Sequence, residues 1–402
     1  MFSRAPDPYT AGSRGPAARP KRSMALLQMM IVAGEASGDR HAADLAMEIR
    51  KRLPEARFFG MGGPLCGAAG VDLVYGAHEI SVMGITEVIP KLPRVLQILG
   101  GLKRAAARRQ PVCAILVDIP DFNLRLARYL KVLGIPVVFY VSPMIWAWRS
   151  GRIEAIAERV DEMICILPFE EPIYRCAGVR VRYVGNPVVD QVPPAAEPEH
   201  FRRLLGLQLD RPTLALLPGS RISEVRRILP AMAGAARELA HERPGLQIVV
   251  PLAPSIPGSE ISAVFAKTGL QPTLVEGKAP EAVGASDAAI VASGTAVLEA
   301  ALMERPLVVV YRMAPVSYLV ARLLLKVEYV SLVNLLLGKA AVPELIQRAM
   351  SPARIAAEVR RLWGPGAERD AQIQALRQLR GILGRKGAAS RAAEEVVALI
   401  RS

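Results

Sequence analysis

The sequence predicts an α/β protein in which two doubly wound, parallel-sheet domains face each other across a cleft, followed by C-terminal helices. Three observations predict it. Short, uninterrupted Val/Ile/Leu runs alternate with amphipathic stretches almost throughout, the pattern of strands buried on both faces beneath covering helices. A proline-rich segment at 185–200, GNPVVDQVPPAAEPEH, splits that alternation in two, as an interdomain linker does. Beyond about residue 350 strand patterns cease and only helical periodicity remains.

Taken in order, residues 1–23 are rich in Pro, Gly, Ala and Arg without apolar periodicity and read as a disordered extension. Lys21 and Arg22 ahead of MALLQMMIVAG imitate a secretory signal. The apolar run leads straight into a strand-to-helix turn, GEASGD, and no clean small-x-small cleavage site follows it, so it reads as the first strand. Met24 is an alternative start. The first domain, 24–186, has strands at LLQMMIVA, ARFFG, VCAILV, PVVFYV and EMICIL, with helices such as HAADLAMEIRKRL and NLRLARYLKVLG between them. The second, 187–352, repeats the style with TLALLPG, LQIVVPL, AAIVAS and PLVVVY. Residues 353–402 carry three helical patterns that either close the second domain or cross back to the first.

Composition narrows the function. Of 402 residues 51% are hydrophobic and only 5% aromatic, so the cores are large and aliphatic. A net charge of +14 favours an anionic partner: nucleic acid, an acidic membrane surface or a phosphorylated substrate. Arginine spread over solvated helices is the plainer explanation. Cys66, Cys113, Cys165 and Cys176 form no C-x-x-C pair and read as reduced cysteines, not disulfides or metal ligands. No uncharged apolar stretch reaches 18 residues, the length that would suggest a membrane-spanning helix. The most apolar region, 307–337, is interrupted by Arg312, Arg322, Lys326 and Glu328.

In open parallel sheets, ligands bind beyond the carboxyl ends of the strands, so residues just after each strand carry the information. After the first strand come Gly34, Glu35, Ala36, Ser37, Gly38 and Asp39. Ser37 or Asp39 can cap the next helix, while Glu35 puts a carboxylate at the cleft. After VCAILV, Asp121 suits a helix cap. Asp118 ends the strand without such a duty and is the candidate general base. Ser142, Trp146 and Trp148 follow PVVFYV and suit a pocket for a sugar or acyl chain, with packing under the next helix as the alternative. Gly219, Ser220 and Arg221 follow one strand of the second domain, and Ser293, Gly294 and Thr295 follow another. Both turns offer backbone N–H groups at a helix start, which suit a diphosphate. Glu299, one turn past Thr295, can accept both ribose hydroxyls. The chain lacks a G-x-x-x-x-G-K-[ST] loop, a D-x-D, an H-E-x-x-H and a complete G-x-G-x-x-G after the first strand. This argues against an ATPase, a metalloenzyme and a classical dehydrogenase.

VAGEASGD, VMGITEV, DIPDFN, YVSPMIWAWR, LPFE, LLPGSR, QIVVPL, ASGTAVLEA, VVYRM and YVSLVNLL occur in this order, and with them the chain resembles the bacterial lipid-A-disaccharide synthases across nearly all of 27–402. The resemblance implies two Rossmann-like domains of the B-type glycosyltransferase fold. It implies an inverting transfer of 2,3-diacylglucosamine from UDP to 2,3-diacylglucosamine 1-phosphate, giving a β-1′,6-linked disaccharide phosphate and UDP. Asp118 would then deprotonate the acceptor 6-hydroxyl, with Glu35 as the other catalytic carboxylate. Arg221 and the two turns would hold the leaving UDP, Glu299 the ribose, and Asn334 the nucleotide or sugar. Glu35 and Ser37 would face the acceptor. No metal and no cofactor are implied. The protein would be cytoplasmic and peripheral on an anionic inner-membrane surface, and a homodimer stays open. Two departures stand out: the N-terminal extension, and Ile119 where alanine is familiar.

Reaching membrane substrates calls for a docking surface. Val88, Ile89, Leu92, Val95, Leu96 and Leu99 recur at helical spacing, with Lys91, Arg94, Lys103 and Arg104 on or beside the polar flank. An apolar face with a basic rim suits an anionic interface, and Pro90 and Pro93 place the helix start near Pro93. Packing of this face on the sheet is the alternative. A UDP-N-acetylglucosamine epimerase-like enzyme of the same fold is the second functional reading. A nucleic-acid-binding protein is the third, but no recognition motif supports it, so no nucleic-acid partner is expected.

Overall fold

The structure is a computed structural model describing residues 27–80, 85–146, 151–315, 318–319, 322 and 328–401, without the side chains of 85–91. Its first half contains β1 (Gln28–Ala33), α1 (Ala36–Arg52), β2 (Arg57–Gly62), α2 (Pro64–Ala68), β3 (Val71–Gly76), α3 (Ile85–Arg109), β4 (Cys113–Val117), α4 (Pro120–Val132), β5 (Val137–Tyr140), α5 (Arg152–Arg159), β6 (Glu162–Cys165), α6 (Glu170–Cys176) and β7 (Val181–Tyr183). The strands form one parallel sheet in the order β3-β2-β1-β4-β5-β6-β7. The second half runs α7 (Val188–Gln191), α8 (Pro198–Leu205), β8 (Thr213–Leu217), α9 (Ile222–Glu242), β9 (Gln247–Leu252), α10 (Gly258–Phe265), β10 (Thr273–Glu276), α11 (Ala279–Gly284), β11 (Ala288–Ala292), α12 (Ala296–Leu302), β12 (Leu307–Tyr311), α13 (Leu332–Leu337), β13 (Glu344–Ile346), α14 (Pro352–Trp363), α15 (Ala367–Ile382) and α16 (Ala388–Arg401). Its sheet is parallel too, ordered β10-β9-β8-β11-β12-β13.

Both sheets reverse direction of winding once, between β1 and β4 and between β8 and β11. Those reversals open a crevice at the strand ends. The central strands are sealed on both faces, which is why they read as unbroken apolar runs: Met29 to Ala33, Cys113 to Val117 and Ala289 to Val291 are wholly or almost wholly buried.

The C-terminal helices divide their packing. Ile355, Ala356, Val359 and Leu362 of α14 bury against α9, and Leu376 and Leu379 of α15 join the second domain's other core face. The chain then crosses over. Ala392, Ala393, Val396 and Val397 of α16 lie in the same core as Met29 and Ile31 of β1. Arg52 clips α16 to α1 through Glu394 (2.9 Å) and Ser390 (2.6 Å). Each buried valine contributes roughly 1.5–3 kcal/mol, far more than the half-exposed ion pair, worth about 0–1 kcal/mol.

Three expectations need correction. Asp39 does not cap α1. Its buried carboxylate accepts from the Gly63, Leu65 and Cys66 N–H groups at 2.7–3.0 Å, so it caps α2, which β2 delivers beside it. Asp121 does not cap α4 either: Ile119 holds the cap position, and Asp121 pairs with Arg152. The helix expected to start near Pro93 begins at Ile85 and runs through both prolines, forgoing the backbone hydrogen bonds they cannot donate. Its apolar face also splits. Leu92 and Leu96 are 42% and 49% exposed, but Val95 packs half-buried on the core and Leu99 is inside it. The face is wider than one contact, so one edge serves the sheet and the other meets solvent. Arg94 is not a free rim cation, because it pairs with Glu79 and lies over Tyr75. The side chains of Val88, Ile89 and Lys91 lie outside the described residues.

Candidate active site

The two crevices meet. Glu35, at the start of α1, accepts from Arg221 of the second domain at 2.9 Å. Arg221 also pairs with Glu224, one turn along its own helix, at 3.0 Å. Gly219 shapes this turn with φ of +115°, and a Cβ there would stand 2.7 Å from a Glu224 carboxylate oxygen. Both constraints favour glycine.

Asp118 lies across the first crevice from Glu35, since β4 neighbours β1. Its backbone is unusual: Asp118 and Ile119 have φ of +54° and +39°, and Val141, after the next strand, has +65°. For β-branched Ile119 and Val141 this is a strained conformation, costing on the order of 1–3 kcal/mol each. The strained turns are adjacent, as the Asp118 N–H donates to the Tyr140 carbonyl at 3.2 Å. The Asn123 amide braces the turn by donating to the Asp118 carbonyl at 2.7 Å. Asp118 is half-buried, and protein surrounds most of its carboxyl. That burial, together with the charge of Glu35, pushes the carboxyl up to about 6, against the pull of Arg221. A carboxylate poised near neutrality beside an open crevice can take a proton.

In the second domain, Ser220, Gly294 and Thr295 are exposed and Ser293 half-buried, all in turns that follow a strand. Glu299 sits in the first turn of α12. Burial raises its carboxyl above the ordinary range, opposed by the charge of Arg40 on α1. A first-domain cation thus stands within electrostatic reach of the second domain's carboxylate.

In the first domain, Ser37 is half-buried in the first turn of α1 and Ser142 is buried. The Trp146 indole N–H donates to the carboxylate of buried Glu170 at 3.1 Å, and its ring meets Phe169 edge-on at 5.0 Å. Trp148 lies outside the described residues.

Asn334 is a correction. Its amide nitrogen donates to the Val342 carbonyl and to Glu344, and its oxygen accepts from the Ala341 and Val342 N–H groups, all at 2.8–2.9 Å. With both ends committed and the residue 1% exposed, it braces the turn before β13 instead of reaching a ligand. Sequence reasoning passed over Arg40 and Glu170. Glu170 was findable by the same rule as the others, because it closes Leu167-Pro168-Phe169-Glu170 just past a strand end. Arg40 offered only a helical spacing of three from Ser37.

Comparison with known proteins identifies the family and the fold. The chain matches the family described as lipid-A-disaccharide synthetase over residues 29–398. It is 62% identical over 373 residues to the lipid-A-disaccharide synthase of Myxococcus xanthus, covering 93% of this chain and 97% of that protein. Among solved structures it is similar to the calicheamicin glycosyltransferase CalG4, with TM-score 0.59, 16% identity and coverage of 93% and 98%. It is similar as well to the UDP-GlcNAc 2-epimerase of Neisseria meningitidis, with TM-score 0.62, 11% identity and coverage of 92% and 100%. At such identities the two structures speak for the fold alone, whereas the sequence matches decide between transferase and epimerase. The chain belongs to the lipid-A-disaccharide synthetase family, glycosyltransferases of lipid A biosynthesis.

Proposed function

We propose that this chain transfers 2,3-diacylglucosamine from UDP to the 6-hydroxyl of 2,3-diacylglucosamine 1-phosphate, with inversion, at the junction of its two crevices. The observation that carries the proposal is the Glu35–Arg221 contact, which sets the Asp118 turn of one domain against the LLPGSR turn of the other. The acceptor hydroxyl gives its proton to Asp118 while its oxygen bonds to the donor anomeric carbon. The bond from that carbon to the diphosphate breaks, and UDP leaves with the charge. Arg221 and the N–H groups of the 219–221 and 293–295 turns meet that charge where it develops. Glu299 holds the ribose, and Ser37, Ser142 and Trp146 line the acceptor side. Donor binding takes Arg221 from Glu35 to the diphosphate. Incubation with both substrates followed by mass analysis should show the disaccharide phosphate, and UDP release without disaccharide would defeat the assignment.

Among the described residues no group of three or more His, Cys, Asp or Glu is placed to hold a metal, and Arg221 supplies the charge a metal would bring. Turnover in excess chelator should therefore stay near normal. Complete loss restored by magnesium or manganese would sink this part of the mechanism.

Substrates with acyl chains require access to a lipid surface, and among the described residues no helix is long and apolar enough to cross a membrane. The N-terminal half of α3 suits docking on an anionic surface, through exposed Leu92 and Leu96. Each leucine, already about half-buried, would contribute roughly 1 kcal/mol when covered. Leu92→Ser with Leu96→Ser should release the protein from anionic vesicles in a flotation assay and leave its thermal transition in place. Val95→Ser should instead lower the transition, since Val95 packs on the core. Undiminished flotation of the double variant would rule this edge out.

A further inference from the structure

The turn that follows β5 is held by something the reaction scheme does not use. Glu170 opens α6 and is 1% exposed. One carboxylate oxygen accepts from the Trp146 indole and the other from the Leu167 N–H at 3.2 Å. Its neighbour one turn on, Tyr174, donates to the Pro143 carbonyl at 2.9 Å. Ser142 in the turn, Tyr174 on α6, Cys165 on β6 and Tyr183 on β7 surround it. None carries a positive charge, and among the described residues no cation pairs with Glu170. A buried carboxylate without a counter-ion costs several kcal/mol, and a glutamine or an apolar side chain would fill the place at lower cost. What the charge gains is a strong grip on Trp146.

The gripped segment borders the base. Asp118 donates through its N–H to Tyr140, immediately before the turn, and Arg152, just after it in the chain, pairs with Asp121. We propose that Glu170 is a positioning residue for the acceptor: through Trp146 it holds the turn after β5 in the one arrangement that seats the acceptor sugar beside Asp118. The proposal rests on the assignment of the first domain's strand ends to the acceptor. Burial pushes the Glu170 carboxyl up to about 7, against the hydrogen bonds that favour its charge. The grip therefore weakens as pH falls through about 7, which is distinct from titration of Asp118.

The test is steady-state kinetics of the full chain on both substrates. Glu170→Gln keeps one acceptor but turns its amide toward the Leu167 N–H. It should raise the acceptor KM about tenfold, the scale of one charge-assisted hydrogen bond, with kcat and donor KM nearly unchanged. The rise in wild-type acceptor KM below about pH 7 should vanish in the variant. Trp146→Phe, which removes the indole N–H contact and trims the ring, should reproduce the effect, and the double variant should add little to either single one. An unchanged acceptor KM in Trp146→Phe overturns the proposal even if Glu170→Gln fails to fold. So do additive effects in the double variant, or a loss confined to kcat. Failure of the wild-type chain to make disaccharide would instead strike the reaction assignment itself.

Discussion

Asp118→Asn should cut turnover by about 10²–10⁴-fold, the usual loss when a general base is removed, while leaving UDP affinity almost unchanged. The fold should tolerate the change well. Asn adopts positive φ more readily than most residues, and Asp118 sits at +54°. The carboxyl is also held well above its ordinary value of 3.8, at about 6, by burial and by Glu35. A raised carboxyl favours folding only when protonated. Its contribution is complete below 3.8 and is lost as pH rises through about 6. The asparagine variant should therefore melt no lower than wild type at pH 8, a loss of activity without a loss of stability. In the wild type, kcat should fall as pH drops through about 6, because the ionised form takes the proton. Glu35→Gln removes the neighbouring negative charge and should move that limb to lower pH. An asparagine variant with normal turnover would make Asp118 structural and pass the role to Glu35.

Arg221→Ala should weaken UDP binding by about 10–100-fold, the equivalent of roughly 1.5–3 kcal/mol for a charge-assisted contact. Glu299→Ala should weaken it less, since it removes neutral hydroxyl partners. Calorimetric titration showing unchanged UDP affinity in both variants would take the nucleotide out of the second domain. Arg221→Ala has a second expected consequence. It leaves Glu35 unpaired and removes the pull of Arg221 on Asp118, so the acid limb of kcat should move to higher pH. This shift tests whether the two domains act on one centre, because the substituted residue and the titrating one lie on different sheets.

The strands that sequence reasoning found and those it missed differ in burial. β1, β4, β5, β8 and β11 are covered on both faces and show as unbroken apolar runs. β3, with exposed Asp72 and Leu73 at a sheet edge, and short β7, β10 and β13 have no such signal. Their places follow from pairing with a neighbour, which is a property of the assembled sheet. The same contrast governs the site. Glu35, Asp118, Arg221 and Glu299 stood out as candidates because each sits where a parallel strand hands over to a helix. Asp39 and Asp121 sit at similar handovers and Asn334 in a short helix before β13, and their chemistry alone does not tell a cap, an ion pair or a brace from a ligand.

What the sequence determined by itself is therefore local and periodic: two parallel sheets, the break between them, the strand ends that carry polar residues, and the family those motifs belong to. The tertiary structure decided which polar groups meet. It spent Asp39 on α2 and Asn334 on the turn before β13, turned half of the α3 face into core, and carried α16 back to the first domain. It also brought Glu35 to Arg221 across 186 residues of chain. The physical reason is that periodicity records burial along one element, whereas hydrogen bonds and charge pairs depend on distances between elements, which are set only when the two sheets and their helices pack.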